Sequence, residues 1–223
     1  MKSALSLISK VLAGKLPGQA LTYSIRNKLE IWLRTGSKRF EFERLYLENS
    51  DPWDFLRSSY EQGKYQRILA RILQHRQGTQ AVLEIGCSIG IFTKMLSAQF
   101  GEIVAIDVAQ GAITYARRYC RPCTNVRFFR CDLRNLRLRR KFDVIVCAEV
   151  VYYVREDDAH HVCQMLHDHL APAGIVVLVG EGGGISMSWE TRLRTEFDTV
   201  QTDTVDDPGR PYRIVILEAA AQH

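Results

Sequence analysis

The segment Glu84-Ile85-Gly86-Cys87-Ser88-Ile89-Gly90 sets two glycines four apart at the end of an apolar run, and the carboxylate of Asp107 closes the next apolar run. Gly86 and Gly90 permit a tight turn and a close backbone approach that a side chain would block. The pattern is E-x-G-x-x-x-G rather than G-x-G-x-x-G, so a pyrophosphate cradle is not expected. Asp107, with Val108 beside it, lies about twenty residues downstream at a strand end, the position of an acid that accepts two hydrogen bonds from a vicinal diol. An acid at a strand end also serves as a helix cap, and glycine turns are common. The two in this order point to a site for a nucleoside.

Such a site needs parallel strands that end together. Short apolar runs at AVLEIG (81–86), IVAID (103–107), VRFF (126–129), FDVIVCA (142–148) and GIVVLVG (174–180) are candidate buried strands. Helix-like segments at about 89–99, 109–119 and 156–170 separate them, which predicts an α/β fold with right-handed crossovers and a sheet covered on both faces. Tyr65, Ile68, Leu69 and Ile72 predict a helix over 64–77 that leads into the core. The run Pro211 to Glu218 reads as a last strand, paired hairpin-like with Phe197 to Thr202. Glu181-Gly182-Gly183-Gly184 suggests a mobile loop at the carboxyl edge of the sheet. Residues 1–50 are expected to form a helical N-terminal extension, and residues 51–223 the main domain.

The 84–90 and 107 motifs resemble those of class I S-adenosylmethionine-dependent methyltransferases, with Ser88 where a central glycine often stands. The resemblance implies a Rossmann-like, seven-stranded, mostly parallel sheet with S-adenosylmethionine as cofactor. It also implies contacts from Asp132-Leu133 to the adenine and from Ala148-Glu149 to the methionine part. A narrower resemblance runs over 51–180 through Asp51-Pro52-Trp53, Tyr60-Glu61, Lys64-Tyr65, the 83–90 motif and Ala148-Glu-Val-Val-Tyr-Tyr153; it is to the nodulation protein S family. That family implies a small N-methyltransferase acting on an amino sugar or related metabolite, with lid elements that carry Trp53, Tyr60, Lys64 and Tyr65 to the cofactor. The cofactor-binding set so expected is Trp53, Tyr60, Lys64, Tyr65, Glu84, Gly86, Cys87, Ser88, Gly90, Asp107, Val108, Asp132, Leu133 and Ala148.

Methyl transfer is an in-line displacement from a sulfonium, so the protein's main work is alignment. An acceptor that is an ammonium near neutral pH must first lose a proton, and Glu149, Tyr152 and Tyr153 are the candidate base or orienting groups. The acceptor is expected to be a small molecule methylated on nitrogen. O-methylation of a small, anionic metabolite is the alternative, ahead of RNA methylation and a non-catalytic scaffold.

Composition sets further bounds: 46% hydrophobic and 25% charged residues suit a folded globular chain. Lys10 and Lys15 interrupt the first apolar run before it could form a secretory core or a transmembrane segment, so the cytoplasm is expected. There the six cysteines, among them the Cys120-Arg-Pro-Cys123 pair, stay reduced, and no metal is expected. Leu5, Ile8, Leu12 and Leu16 recur at helical spacing, so residues 1–50 could carry a homodimer or partner contact. Ten Arg or Lys residues and one acid, Asp132, occupy Arg117 to Lys141, a face that suits anions. Nucleic acid is nevertheless not expected, because no base-amine tetrapeptide or appended binding module accompanies it.

Overall fold

The computed structural model describes residues 38–76, 78, 81–181, 184–207 and 210–220. The stripe of Leu5, Ile8, Leu12 and Leu16 lies outside the described residues. In chain order the elements are α1 (Lys38–Glu48), α2 (Ser59–His75), β1 (Ala81–Ile85), α3 (Ile91–Ser97), β2 (Glu102–Asp107), α4 (Gln110–Tyr119), β3 (Val126–Arg130), β4 (Phe142–Ala148), α5 (Ala159–His169), β5 (Leu170–Glu181), α6 (Gly184–Leu193), β6 (Phe197–Val205) and β7 (Tyr212–Ala219). The sheet order is β3-β2-β1-β4-β5-β7-β6. Strands β1 to β5 pair in parallel, whereas β7 runs antiparallel between β5 and β6.

Apolar runs form the central strands because both faces of the sheet are covered. Val82, Ile103, Ala105, Val144, Val146, Ile175 and Val177 point into the core under α1 to α4. Their neighbours Leu83, Val104, Ile106, Ile145, Cys147, Val176 and Leu178 point into the core under α5 and α6. This period of two is the pleat of a strand buried twice. From β1 the chain steps outward to β2 and β3, then returns to lay β4 on the other side of β1. The crossover direction thus reverses between β1 and β4, and a crevice opens beyond their carboxyl ends.

Two segments differ from expectation. α1 lies before the boundary expected at residue 50, yet it buries Phe42 and Tyr46 in the same core as β1 and β2. A helix, α6, begins at Gly184, the last residue of the stretch expected as a mobile loop, while Gly182 and Gly183 lie outside the described residues. Trp189 and Leu193 of α6 are buried against the α5 face, and this apolar spacing holds the helix.

Candidate active site

The crevice holds a cavity of about 370 Å³, within the roughly 300–1,000 Å³ of small-molecule sites. Its floor is the turn after β1. The backbone N–H groups of Gly86 and Cys87 donate to Ile106 O at 2.8 and 2.9 Å, and that of Ser88 donates to Asp107 Oδ2 at 2.9 Å. Ala109 N–H donates to Asp107 Oδ1 at 2.9 Å, so Asp107 fixes the turn into α4 and still lines the cavity. Burial pushes its carboxyl up to about 6, although the backbone donors pull the other way.

The turn needs left-handed backbone at Gly86, Ser88 and Gly90, with φ of 79°, 49° and 85°. A Cβ at Gly86 would sit 2.9 Å from Val150 Cγ2, so the bare backbone there is part of the hollow. Glu84, Cys87 and Gly90 support the turn and do not line the cavity. Thr93 Oγ1 donates to Glu84 Oε2 at 2.6 Å, and burial raises the Glu84 carboxyl to about 8. Cys87 is buried, and Gly90 packs against Ala116 and Cys120, where a Cβ would clash with α4.

The roof is aromatic. Phe42, Tyr46, Trp53, Phe55 and Tyr65 all line the cavity, Trp53 stacking on Phe55 at 5.8 Å and Tyr46 meeting Trp53 edge-on at 5.5 Å. Tyr46 Oη shares a hydrogen bond of 2.6 Å with Ser88 Oγ, joining roof to floor. Two features let α1 descend this far. Glu43 accepts from Gln110 N–H at 2.6 Å and Gly111 N–H at 3.1 Å, which caps α4 from outside. At Gly111 a Cβ would stand 2.6 Å from Tyr46 Cβ.

Beyond β3, Asp132 and Leu133 line one side with Val108, and Arg134 holds Asp132 through Nε at 2.9 Å and Nη2 at 2.5 Å. Beyond β4, Ala148, Glu149 and Tyr153 line the other. Glu149 is left-handed at φ 57°, its N–H held by Val179 O at 2.8 Å. Lys64 Nζ donates to its Oε1 at 3.1 Å, and Tyr152 Oη donates to its Oε2 at 2.6 Å.

Besides Glu84, Cys87 and Gly90, three more expected site residues stand behind the cavity wall. Tyr152 is buried, donates to Glu149 and packs on the Tyr153 ring at 4.6 Å, both of which line the cavity. Lys64 is buried between Glu149 and Glu61, whose Oε2 is 2.8 Å away. Tyr60 donates to Arg210 O at 2.7 Å and carries the Arg210 guanidinium over its ring at 4.1 Å, while Arg210 also pairs with Glu61 at 2.7 Å. The lining residues that sequence reasoning missed include Arg39, Phe42, Tyr46, Phe55 and Arg155. Arg39, Phe42 and Tyr46 are three and four residues apart, one face of a helix, which was the available signal.

A family model described as Nodulation protein S (NodS) matches residues 37–198. The chain is 31% identical over 141 residues to nodulation protein S of Bradyrhizobium diazoefficiens, which covers 62% of this chain and 66% of that one. To nodulation protein S of Sinorhizobium fredii it is 32% identical over 136 residues, 59% of this chain and 61% of that one. The aligned stretches thus fall just short of two thirds of these relatives' lengths. Among solved structures, N-methyltransferase NodS from Bradyrhizobium japonicum WM9 in complex with S-adenosyl-L-homocysteine superimposes with a TM-score of 0.73 at 21% identity, covering 83% of this chain and 100% of that one.

Proposed function

The chain belongs to the nodulation protein S family, and from that premise we propose that it moves a methyl group from S-adenosylmethionine to an amine nitrogen of a small molecule. The observation that carries the proposal is Asp107, pinned by two backbone N–H groups at the rim of a bare glycine turn beneath an aromatic roof. The residues fit the cofactor: Asp107 for the ribose diol, Val108, Asp132 and Leu133 around the adenine, Gly86 and Ala148 beside the methionine part. Trp53, Phe55 and Tyr65 exclude water there and favour a cation by up to about 2 kcal/mol when desolvated. When bound, S-adenosylmethionine supplies an electrophilic methyl on a sulfonium that departs as a neutral thioether.

Glu149 is the orienting group for the amine. Lys64 and Tyr152 both donate to its carboxylate, which leaves further lone pairs to accept hydrogen bonds. It therefore engages an N–H of the acceptor and leaves the nitrogen lone pair free to face the methyl. Tyr152 and Lys64 fix the rotamer through one bond to each oxygen. Tyr153 forms the wall beside it and meets Phe42 edge-on at 5.0 Å.

The working unit runs from α1 to β7, a division supported by Phe42 and Tyr46 in the site and by a family match that begins at residue 37. No helix among the described residues is long and apolar enough to cross a membrane. Six free cysteines support a cytoplasmic setting. Contact with a second copy or partner through residues 1–50 is supported by Phe40 and Leu47, which are 74% and 77% exposed on α1. The test is calorimetry with S-adenosylhomocysteine, followed by a mass-shift screen of amines with S-adenosylmethionine. Tight binding and a gain of one methyl on an amine are expected; no binding by the intact chain would sink the proposal.

A further inference from the structure

Most charge inside the cavity is already matched. Asp132 is held by Arg134, which Asp158 also holds at 3.1 Å, and Glu149 is held by Lys64 and Tyr152. Asp107 faces its two backbone donors. Two lining arginines remain. Arg39 is exposed and has no hydrogen bond or ion pair among the described residues. Arg155 reaches Asp157 at 2.8 Å, but the side chains are 68% and 79% exposed, so water and salt screen that pair.

Both line the same cavity. Arg39 precedes Phe42 by three residues on the same face of α1, and Arg155 follows Tyr153 by two. The rings of Phe42 and Tyr153 touch at 5.0 Å, so the segments bearing the arginines meet there at the edge of the cavity. A planar guanidinium presents a fork that matches an oxyanion.

We propose that Arg39 and Arg155 form an anion subsite at the mouth, and that the methyl acceptor is an amine carrying a phosphate group. The inference rests on the methyl-transfer reading of the same cavity and names its substrate class. The phosphate is gripped at the rim while the amine extends inward to Glu149, so one end supplies affinity and the other is aligned for reaction. The rival occupant of the two arginines is the carboxylate of the cofactor's methionine part.

Matched pairs of amines separate these outcomes: glucosamine 6-phosphate against glucosamine, and phosphoethanolamine against ethanolamine. Each is titrated by calorimetry into the full chain saturated with S-adenosylhomocysteine. The phosphorylated members are expected to bind at least about tenfold more tightly, an advantage that shrinks as salt shortens the screening length. Arg39→Gln and Arg155→Gln should each remove most of that advantage while S-adenosylhomocysteine affinity stays unchanged, which also shows that the variants fold. Equal affinity within both pairs, or no binding of the phosphorylated members, overturns the proposal. So does a loss of S-adenosylhomocysteine affinity in the variants with the phosphate advantage intact. The methyl-transfer reading fails by a different result, no S-adenosylhomocysteine binding by the unaltered chain.

Discussion

Asp107 organises the turn before any ligand arrives, since each carboxylate oxygen already receives a backbone N–H. Its burial raises the pKa to about 6, above an ordinary value of about 3.9. Between these values the folded chain holds more of this proton than the unfolded one, so the group stabilises the fold at low pH and this contribution is lost as pH rises through about 6. Gripping a diol with an ionised carboxylate runs the other way. S-adenosylhomocysteine affinity is therefore expected to weaken about tenfold per unit below pH 6, with proton release on binding in that range. Asp107→Asn should flatten this profile and weaken binding by about 10–100-fold at pH 8, because a hydrogen bond to a charged group contributes about 1.5–3 kcal/mol; calorimetry in buffers of different ionisation enthalpy reads both. Glu149→Gln is expected to lower kcat and leave that affinity unchanged. Lys64→Met removes the cation between Glu61 and Glu149, leaving Arg210 on the first and Tyr152 on the second, and should cost about 1–3 kcal/mol in urea unfolding. Asp107 and Glu149 were legible because strand ends fix where such acids point. Lys64 and Tyr60 were not, because their places depend on Arg210, some 150 residues away in sequence.

At the scale of elements, the strands were readable from apolar runs whose side chains have no exposed face to mark. α1 was harder. Its apolar face is confined to a few positions while Phe40 and Leu47 point outward, so residues 1–50 carried no sign of which part enters the site. The signal lies in pairs across the chain: Glu43 supplies the cap that Ala109 cannot give α4, and Gly111 leaves room for Tyr46. Gly111→Ala is accordingly expected to push α1 outward. S-adenosylhomocysteine affinity should fall, Trp53 fluorescence shift to the red, and urea unfolding show a loss of about 1–3 kcal/mol as Phe42 and Tyr46 are displaced from the core. Glu43→Ala should cost about 1 kcal/mol through the lost cap. If neither change alters ligand affinity, α1 is not part of the binding wall.

For the molecule as a whole, the strand order puts the reversal of parallel crossover direction at β1 and β4, and the final hairpin completes the sheet beyond β5. The hairpin itself was legible, but its insertion of β7 beside β5 was not, because antiparallel neighbours in sequence do not reveal which of them docks. Arg210, in the loop between β6 and β7, pairs with Glu61, which pairs with Lys64, which pairs with Glu149. Binding at the crevice therefore draws on four parts of the chain at once, and a ligand there should stabilise the folded state globally. S-adenosylhomocysteine at a hundred times its Kd contributes about 2.7 kcal/mol, which for a domain of this size raises Tm by about 5–11 °C. Gly86→Ala forces a Cβ into left-handed backbone at φ 79° and to within 2.9 Å of Val150. The variant is expected to unfold at a lower temperature and to lose the ligand-dependent rise. A variant that keeps the full rise would mean that the ligand does not lie against this turn.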